Sequence, residues 1–312
     1  MWRLLAKGGV SVLLIWLLLR ERDLGALLRQ MLAVEPGHLA LAAAVLWLLA
    51  IPSALRWSTV LGAMGHRLAF RNSFPIVLVG LFFNLTLPSS VGGDAVRMWQ
   101  VHRAGLPGAA AIMSVMIDRL VALVAILLLV LAALPLMYAQ IPDRAARGGV
   151  VLLLALGFLG FAVALAVDRL PAALERLRPA RAILQLTRAL RAVMLTPRAS
   201  LPSLAYSLMN QGGVVVVVTV LAEGLHLPVT WLQSLLIVPI TILVTVLPIS
   251  VAGWGVREGA FVAGFGLVGV PAADALALSV LFGLLNTLVC LPGGLVWLAL
   301  GGKRQPRAEP TA

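Results

Sequence analysis

The chain has 312 residues, of which 61% are hydrophobic and 12% charged, with a mean hydropathy of +1.04. Soluble domains carry about 25% charged residues, so this composition excludes an ordinary soluble enzyme, a disordered chain and a disulfide scaffold. The net charge of +12 would point to nucleic acid in a soluble protein. Here the arginines fall between apolar runs, where they orient a membrane protein and meet anionic head groups.

In chain order, apolar segments run over approximately 4–19, 39–61, 73–87, 108–138, 150–167, 200–222, 231–247 and 272–300. Continuous runs of this kind predict membrane helices, since about 20 apolar residues cross a hydrocarbon core of about 30 Å. A β-barrel would alternate over segments of about ten residues. The first run follows Arg3 and Lys7 as in a signal peptide, but Arg20-Glu21-Arg22-Asp23 stands where a cleavage site belongs. An uncleaved first crossing is therefore expected.

Segments 73–87 and 231–247 are short and end in helix-breaking stretches. The first stretch reads Leu87-Pro88-Ser89-Ser90-Val91-Gly92-Gly93-Asp94-Ala95-Val96-Arg97. The second reads Leu247-Pro248-Ile249-Ser250-Val251-Ala252-Gly253-Trp254-Gly255-Val256-Arg257. At an offset of 160 residues they share seven of eleven positions, and Gly105-Leu106-Pro107 is echoed by Gly269-Val270-Pro271. Chance in a low-diversity apolar sequence is the alternative, against which the shared Pro, Ser and Arg weigh. A duplicated half is a common way to build a transporter around a midplane site.

Charge placement sets the topology. Arg169, Arg176, Arg178, Arg181, Arg188, Arg191 and Arg198 crowd 168–198, and Arg3, Lys7, Lys303, Arg304 and Arg307 mark the two ends. All of these belong on the cytoplasmic side. Eight simple crossings cannot satisfy this. Six crossings can, if 73–105 and 231–270 are re-entrant hairpins entering from opposite sides. The expected fold is thus an all-α polytopic membrane protein, an inverted repeat with two re-entrant helical hairpins. It forms a single integral membrane domain over 1–312, with repeat halves at about 39–138 and 200–300. The basic segment 168–199 is cytoplasmic, and Ile183, Leu186, Leu190 and Val193 give it an amphipathic face suited to interfacial anchoring. Against the scheme, Arg20, Arg22 and Arg29 fall in a loop placed outside.

Ionisable residues at membrane depth cost roughly 2.5–3.5 kcal/mol each and are functional candidates. They are Arg56, Asp94, Arg97, Asp118, Arg119, Arg257 and Glu258. Arg56 lies near a helix end and is expected to snorkel to the interface. Adjacent helix residues point in different directions, so Asp118 and Arg119, and likewise Arg257 and Glu258, should pair with other segments. The hairpin tips, marked by Pro88, Ser90, Gly92 and Gly93 and by Pro248, Ser250, Gly253 and Gly255, should free backbone N–H groups for an anion. Arg97 and Arg257 would clasp phosphate beside them, approaching a shared midplane cavity from opposite sides. Internal charge neutralisation is the competing role for both. Asn84, Asn210, Gln211 and Asn286 are expected to hydrogen-bond between helices.

Other patterns carry nothing. Gly264-Phe265-Gly266-Leu267-Val268-Gly269 matches a dinucleotide fingerprint without a strand before it, and the sequon at Asn84 sits in membrane. Four scattered histidines and the single Cys290 make no metal set. No nucleotide-hydrolysis or hydrolase motif is present. The expectation is a non-enzyme without cofactor or metal.

The motifs together resemble the transmembrane, flippase-like region of lysylphosphatidylglycerol synthases. The resemblance rests on Asn84-Leu85-Thr86-Leu87-Pro88 with Gly92-Gly93-Asp94-Ala95-Val96-Arg97, on Asp118-Arg119-Leu120, and on Leu247-Pro248-Ile249-Ser250 with Gly255-Val256-Arg257-Glu258. Ala54-Leu55-Arg56-Trp57 is similar to that family's early Arg-Trp pair. Asp118 departs from it, the family more often having Glu before this Arg. The resemblance covers roughly residues 4–300. It implies a lipid transporter moving an anionic or zwitterionic lipid between leaflets, whether aminoacylated, polyprenyl-phosphate-linked or hopanoid-type. A multi-pass protein of the plasma (inner) membrane is expected, with both termini cytoplasmic from the charge placement above. Head-group binding falls to Arg97, Arg257 and Arg119, supported by Asp94, Asp118 and Glu258. With only about a dozen residues after Leu300, a stand-alone member without the synthase domain is expected. The alternative is a non-transporting accessory subunit of a lipid or cell-envelope biosynthetic enzyme. Membrane lipids are the expected partners, with a separate lipid-modifying enzyme as a further candidate and no nucleic acid.

Overall fold

The computed structural model describes residues 24–86, 92–167, 178–245 and 254–300, with Gly9, Arg20 and 309–310 besides. The first expected crossing, 4–19, lies outside these apart from Gly9, as do tip residues Pro88, Ser90, Pro248, Ser250 and Gly253. The described chain is helical, with one two-residue antiparallel pairing of His66–Arg67 with Glu309–Pro310. It is an all-α polytopic membrane protein. Among the described residues, five helical spans are long and apolar enough to cross a membrane: Pro36–Ala63, Gly108–Gln140, Arg144–Ala166, Pro197–Gly224 and Ala272–Ala299. They coincide with the other five expected crossings.

Helix α1 (Leu24–Leu32) stands where a loop is expected from the sequence, and Gln30 Nε2 ties it to Asp274 Oδ1 at 2.9 Å. Helices α2 (Pro36–Leu48) and α3 (Ala50–Ala63) follow as one span. Helix α4 (Phe70–Thr86) leads to α5 (Gly92–Arg103). Then come the spans α6 (Gly108–Gln140) and α7 (Arg144–Ala166), the basic helix α8 (Arg178–Met194) and the span α9 (Pro197–Gly224). Helix α10 (Trp231–Thr245) leads to α11 (Val256–Gly266), and α12 (Ala272–Cys290) runs on into α13 (Pro292–Leu300).

Helices α4 and α5 lie antiparallel in direct contact. Gly80 packs on the Arg97 side chain, and the Gly93 N–H donates to Asn84 Oδ1 at 2.9 Å. The space at Gly93 is filled by the Gly80 carbonyl, 1.9 Å from where a Cβ would sit. Helices α10 and α11 pack together in the same way, Gly264 resting on Ile237. At rises of about 1.5 Å per residue, α4 and α10 are each shorter than a hydrocarbon core of about 30 Å.

Helices α5 and α11 stop by one device. Leu106 N–H bonds the Val101 carbonyl across Gly105 at φ 104°, and Val270 N–H bonds the Phe265 carbonyl across Gly269 at φ 86°. This is the glycine-terminated C-cap, in which the left-handed residue has no Cβ to clash. Pro107 and Pro271 then cap the next helix, with matching backbone angles. The spans α2–α3 and α9 run antiparallel along their length. His38 and Val34 touch Gly224, Leu49 fills the notch at Gly213, and Asn210 Nδ2 donates to Leu49 O and Ser53 Oγ.

The amphipathic face of α8 meets protein. Leu184, Thr187, Leu190 and Val193 are buried. Leu190 and Val193 join Val60 of α3, Ile117 and Val121 of α6, Phe161 and Leu165 of α7 and Leu204 of α9 in one apolar cluster. Ile183, expected on that face, is exposed. Thus α8 closes one end of the bundle. Helix α7 is the most loosely held span, with Leu154 its sole buried residue.

Candidate functional site

Five of the seven membrane-depth charges form one cluster. Helix α3 supplies Arg56, α5 supplies Asp94 and Arg97 one turn apart on one face, and α6 supplies Asp118 and Arg119. Asp118, 1% exposed, accepts from Arg56 Nε (2.7 Å) and Nη2 (3.2 Å) and from Arg97 Nη2 (3.1 Å). Asp94 accepts from Arg119 through both Nε and Nη2 at 2.9 Å, with Arg97 Nη1 at 3.5 Å. Asp94 also sits in the first turn of α5, where the helix dipole favours a carboxylate. Three guanidinium groups against two carboxylates leave one positive charge in excess. Arg56, Asp94, Arg97 and Asp118 are buried, whereas the Arg119 side chain is 53% exposed.

The expectation for Asp118 and Arg119 holds, since each pairs with other helices. Arg56 corrects the sequence reading. It is buried rather than snorkelling, because Asp118 and the Ser207 hydroxyl (3.4 Å) offer it partners inside the bundle.

The second group is smaller. Arg257 and Glu258 open α11 and pair with each other, through Arg257 Nε (3.0 Å) and Nη2. This corrects the expectation of separate partners. Glu258 Oε2 folds back to accept the Gly255 N–H at 2.6 Å, and Ser279 of α12 lies within reach of both side chains. That brings the carboxylate round to its neighbour's guanidinium. Gly255 holds φ 87° to make the turn. The pair carries no net charge.

Sequence reasoning missed how the arginines are seated. Arg97 lies 4.4 Å over the Trp57 ring and against Gly80, while Trp57 Nε1 donates to Ser114 Oγ at 3.3 Å. Arg257 lies 4.6 Å over the Trp254 ring and against Gly283, where a Cβ would come 2.1 Å from Nη2. Each thus has an aromatic face on one side, which attracts a cation, and a glycine on another. The tryptophan of the Arg56-Trp57 pair was the available signal for the first.

Of the tip residues expected to free N–H groups, Gly93 and Gly255 have theirs taken, and Pro88, Ser90, Pro248, Ser250 and Gly253 lie outside the described residues. Asn84 takes the Gly93 N–H, and Glu258 takes that of Gly255. Between the two arginine sites lies a cavity of about 290 Å³, bordered by Leu78 and Leu81 of α4 and Phe282 of α12 among others. Neither Arg97 nor Arg257 lines it. Arg97 sits behind Gly80, and Arg257 lies 5.8 Å from the Phe282 ring.

Residues 4–294 match the family described as the lysylphosphatidylglycerol synthase TM region. The chain belongs to this family. Every charge of both groups falls within the matched span. A curated relative, described as UPF0104 membrane protein MJ1595 of Methanocaldococcus jannaschii, is 27% identical over 112 residues. That match covers 35% of this chain and 33% of the relative.

Proposed function

We propose that this protein translocates an anionic or zwitterionic phospholipid between membrane leaflets, without catalysing a reaction on it. In this reading α4–α5 and α10–α11 are hairpins that re-enter the membrane from opposite faces, and the halves 39–138 and 200–300 are inverted copies. The antiparallel contact of α2–α3 with α9 supports that reading, as do the like ends of α5 and α11. Inverted copies must run in opposite senses, and copies keep their caps.

The observation that carries the lipid reading is the excess arginine beside the first hairpin. Asp94 occupies Nε and Nη2 of Arg119, which leaves Nη1 uncommitted among the described residues. A guanidinium has five N–H donors, so Arg119 can keep Asp94 and still meet a phosphate at its exposed side. Arg97 and Arg56, held by Asp118, supply positive potential behind it. Arg257 is fully balanced by Glu258 and serves as the weaker site of the opposite hairpin.

The test is a leaflet-resolved translocation assay in proteoliposomes with fluorescent phosphatidylglycerol. Arg119→Gln is expected to lower the rate at least about tenfold, the scale of one charge-assisted phosphate contact. Its thermal midpoint should fall by less than that of Asp118→Leu, because Asp94 keeps Arg97 as a partner and the Arg119 side chain is half exposed. A wild-type rate for Arg119→Gln would sink the assignment.

A further inference from the structure

The cavity between the two halves has a chemistry distinct from the arginine cluster. Its polar lining is amide and hydroxyl: Ser53 of α3, Asn210 and Gln211 of α9, and Asn286 of α12. Among the described residues no charged side chain lines it. Asn210 is committed to Leu49 and Ser53. Gln211, only 7% exposed, and Asn286 have no hydrogen-bond partner among the described residues, although both face the cavity. Amides in membrane helices normally bond across to a neighbour, whereas these two open onto the cavity instead. Two uncommitted amides from different helices on one wall offer donors and acceptors to a ligand that carries both.

The cavity also has a fixed relation to the charges. Ser53 is three residues from Arg56 on α3. Gln211 is four residues from Ser207, whose hydroxyl Arg56 holds. One helical turn rises about 5.4 Å, so cavity and cluster are successive layers of the same helix pair. The Arg56–Ser207 contact, with both side chains buried, joins the two layers. At about 290 Å³ the cavity sits at the low end of small-molecule pockets, about 300–1,000 Å³, which suits a head-group fragment rather than acyl chains. A cationic head group would find no carboxylate on this wall.

We propose that this cavity is the subsite for the uncharged, hydroxyl-bearing part of an anionic phospholipid head group, with Gln211 and Asn286 as its hydrogen-bonding pair. This rests on the lipid reading above and narrows its cargo. The experiment compares phosphatidylglycerol with phosphatidylmethanol of the same acyl chains, which keeps the phosphate diester and lacks the diol. Binding to the purified protein is measured by native mass spectrometry. Wild type should prefer phosphatidylglycerol about tenfold, the worth of one or two neutral hydrogen bonds. Gln211→Leu and Asn286→Leu should each shrink that preference and leave phosphatidylmethanol binding unchanged. Should Gln211→Leu lower the thermal midpoint, Asn286→Leu carries the comparison alone, since Asn286 is only half buried.

Cys290, the sole cysteine, lines the same cavity and reports occupancy. Phosphatidylglycerol should slow its reaction with a small methanethiosulfonate more than phosphatidylmethanol does. Equal wild-type affinities, a preference surviving both substitutions, or no difference in Cys290 protection would overturn the subsite and leave the phosphate reading standing. Failure of wild type to bind either lipid would overturn both. Displacement of bound phosphatidylglycerol by free glycerol phosphate would assign the cavity to a soluble solute and overturn the lipid assignment.

Discussion

At the residue scale, Asp118 is the keystone of the arginine cluster. Its two oxygens engage Arg56 and Arg97 together, at a position 1% exposed. Removing one partner of a buried ion pair leaves the other charge uncompensated, at a cost of about 3–5 kcal/mol, whereas removing both for apolar groups of similar size is often neutral. Asp118→Leu should therefore lower the thermal midpoint in detergent steeply. Adding Arg56→Met should recover about half or more of the loss, since Arg97 keeps Asp94. Additive losses in the two single variants and the double variant would count against direct coupling. The importance of Asp118 and Arg119 was legible in the sequence, because a carboxylate and a guanidinium ten residues into an apolar run have no water to retreat to. Arg56 was not. Its distance from a helix end fits snorkelling and burial equally, and only the third helix, bringing Asp118 opposite, decides. Arg257 and Glu258 misled for a related reason, since neighbours on a helix diverge unless one side chain is bent back, as Glu258 is by the Gly255 N–H.

At the element scale, proline and glycine punctuation predicts an end to each short apolar helix. The described α4 and α10 end at Thr86 and Thr245, with Pro88 and Pro248 outside the described residues and Pro75 and Pro239 accommodated within the helices. The close packing that follows was not legible, since it depends on which glycine faces which carbonyl. Gly93 and Gly80 supply the case. A methyl group at Gly93 would overlap the Gly80 carbonyl oxygen, and backbone on both sides cannot give way as a side chain can. Gly93→Ala should push α4 from α5, destabilise the protein by about 1–3 kcal/mol as overpacking does, and lower lipid translocation along with stability. Gly160→Ala in α7 meets open space and should match wild type in both. Differential scanning fluorimetry of the two variants checks this, and a wild-type midpoint for Gly93→Ala would contradict the packing. The docking of α8 was hidden for another reason. Its pattern showed an apolar face, but a membrane surface and a bundle end both cover such a face. Burial of Leu190 and Val193 against α3, α6 and α7 favours the second.

At the scale of the whole molecule, orientation decides whether the two hairpins enter from opposite sides. Helix α8 sits where the end of α3, the start of α6, the end of α7 and the start of α9 gather. The turns at 141–143 and 225–230 belong to the other end, because α6 and α9 both start at the α8 end and run the length of the bundle before them. Arginine-rich segments stay cytoplasmic, so α8 should be inside and both turns outside. A Cys290→Ala background removes the only native thiol. Single cysteines then replace Gln185 on α8, Pro142 and Pro228, all exposed. A membrane-impermeant maleimide added to intact cells should label Pro142→Cys and Pro228→Cys, and should label Gln185→Cys only after permeabilisation. With that orientation, the turn before α10 and the turn after α11 both face outside, because α11 packs back along α10 with Gly264 against Ile237 and Thr241. The turn before α4 and the turn after α5 both face inside, because α5 packs back along α4 with Gly93 at Asn84 and Arg97 at Gly80. Each hairpin then returns to its own side, and the arginine-rich site opens toward the cytoplasmic leaflet. Labelling of Gln185→Cys in intact cells would reverse the sidedness of the proposed phosphate site. Labelling of only one of the two outer positions would break the five-span arrangement on which the inverted halves depend.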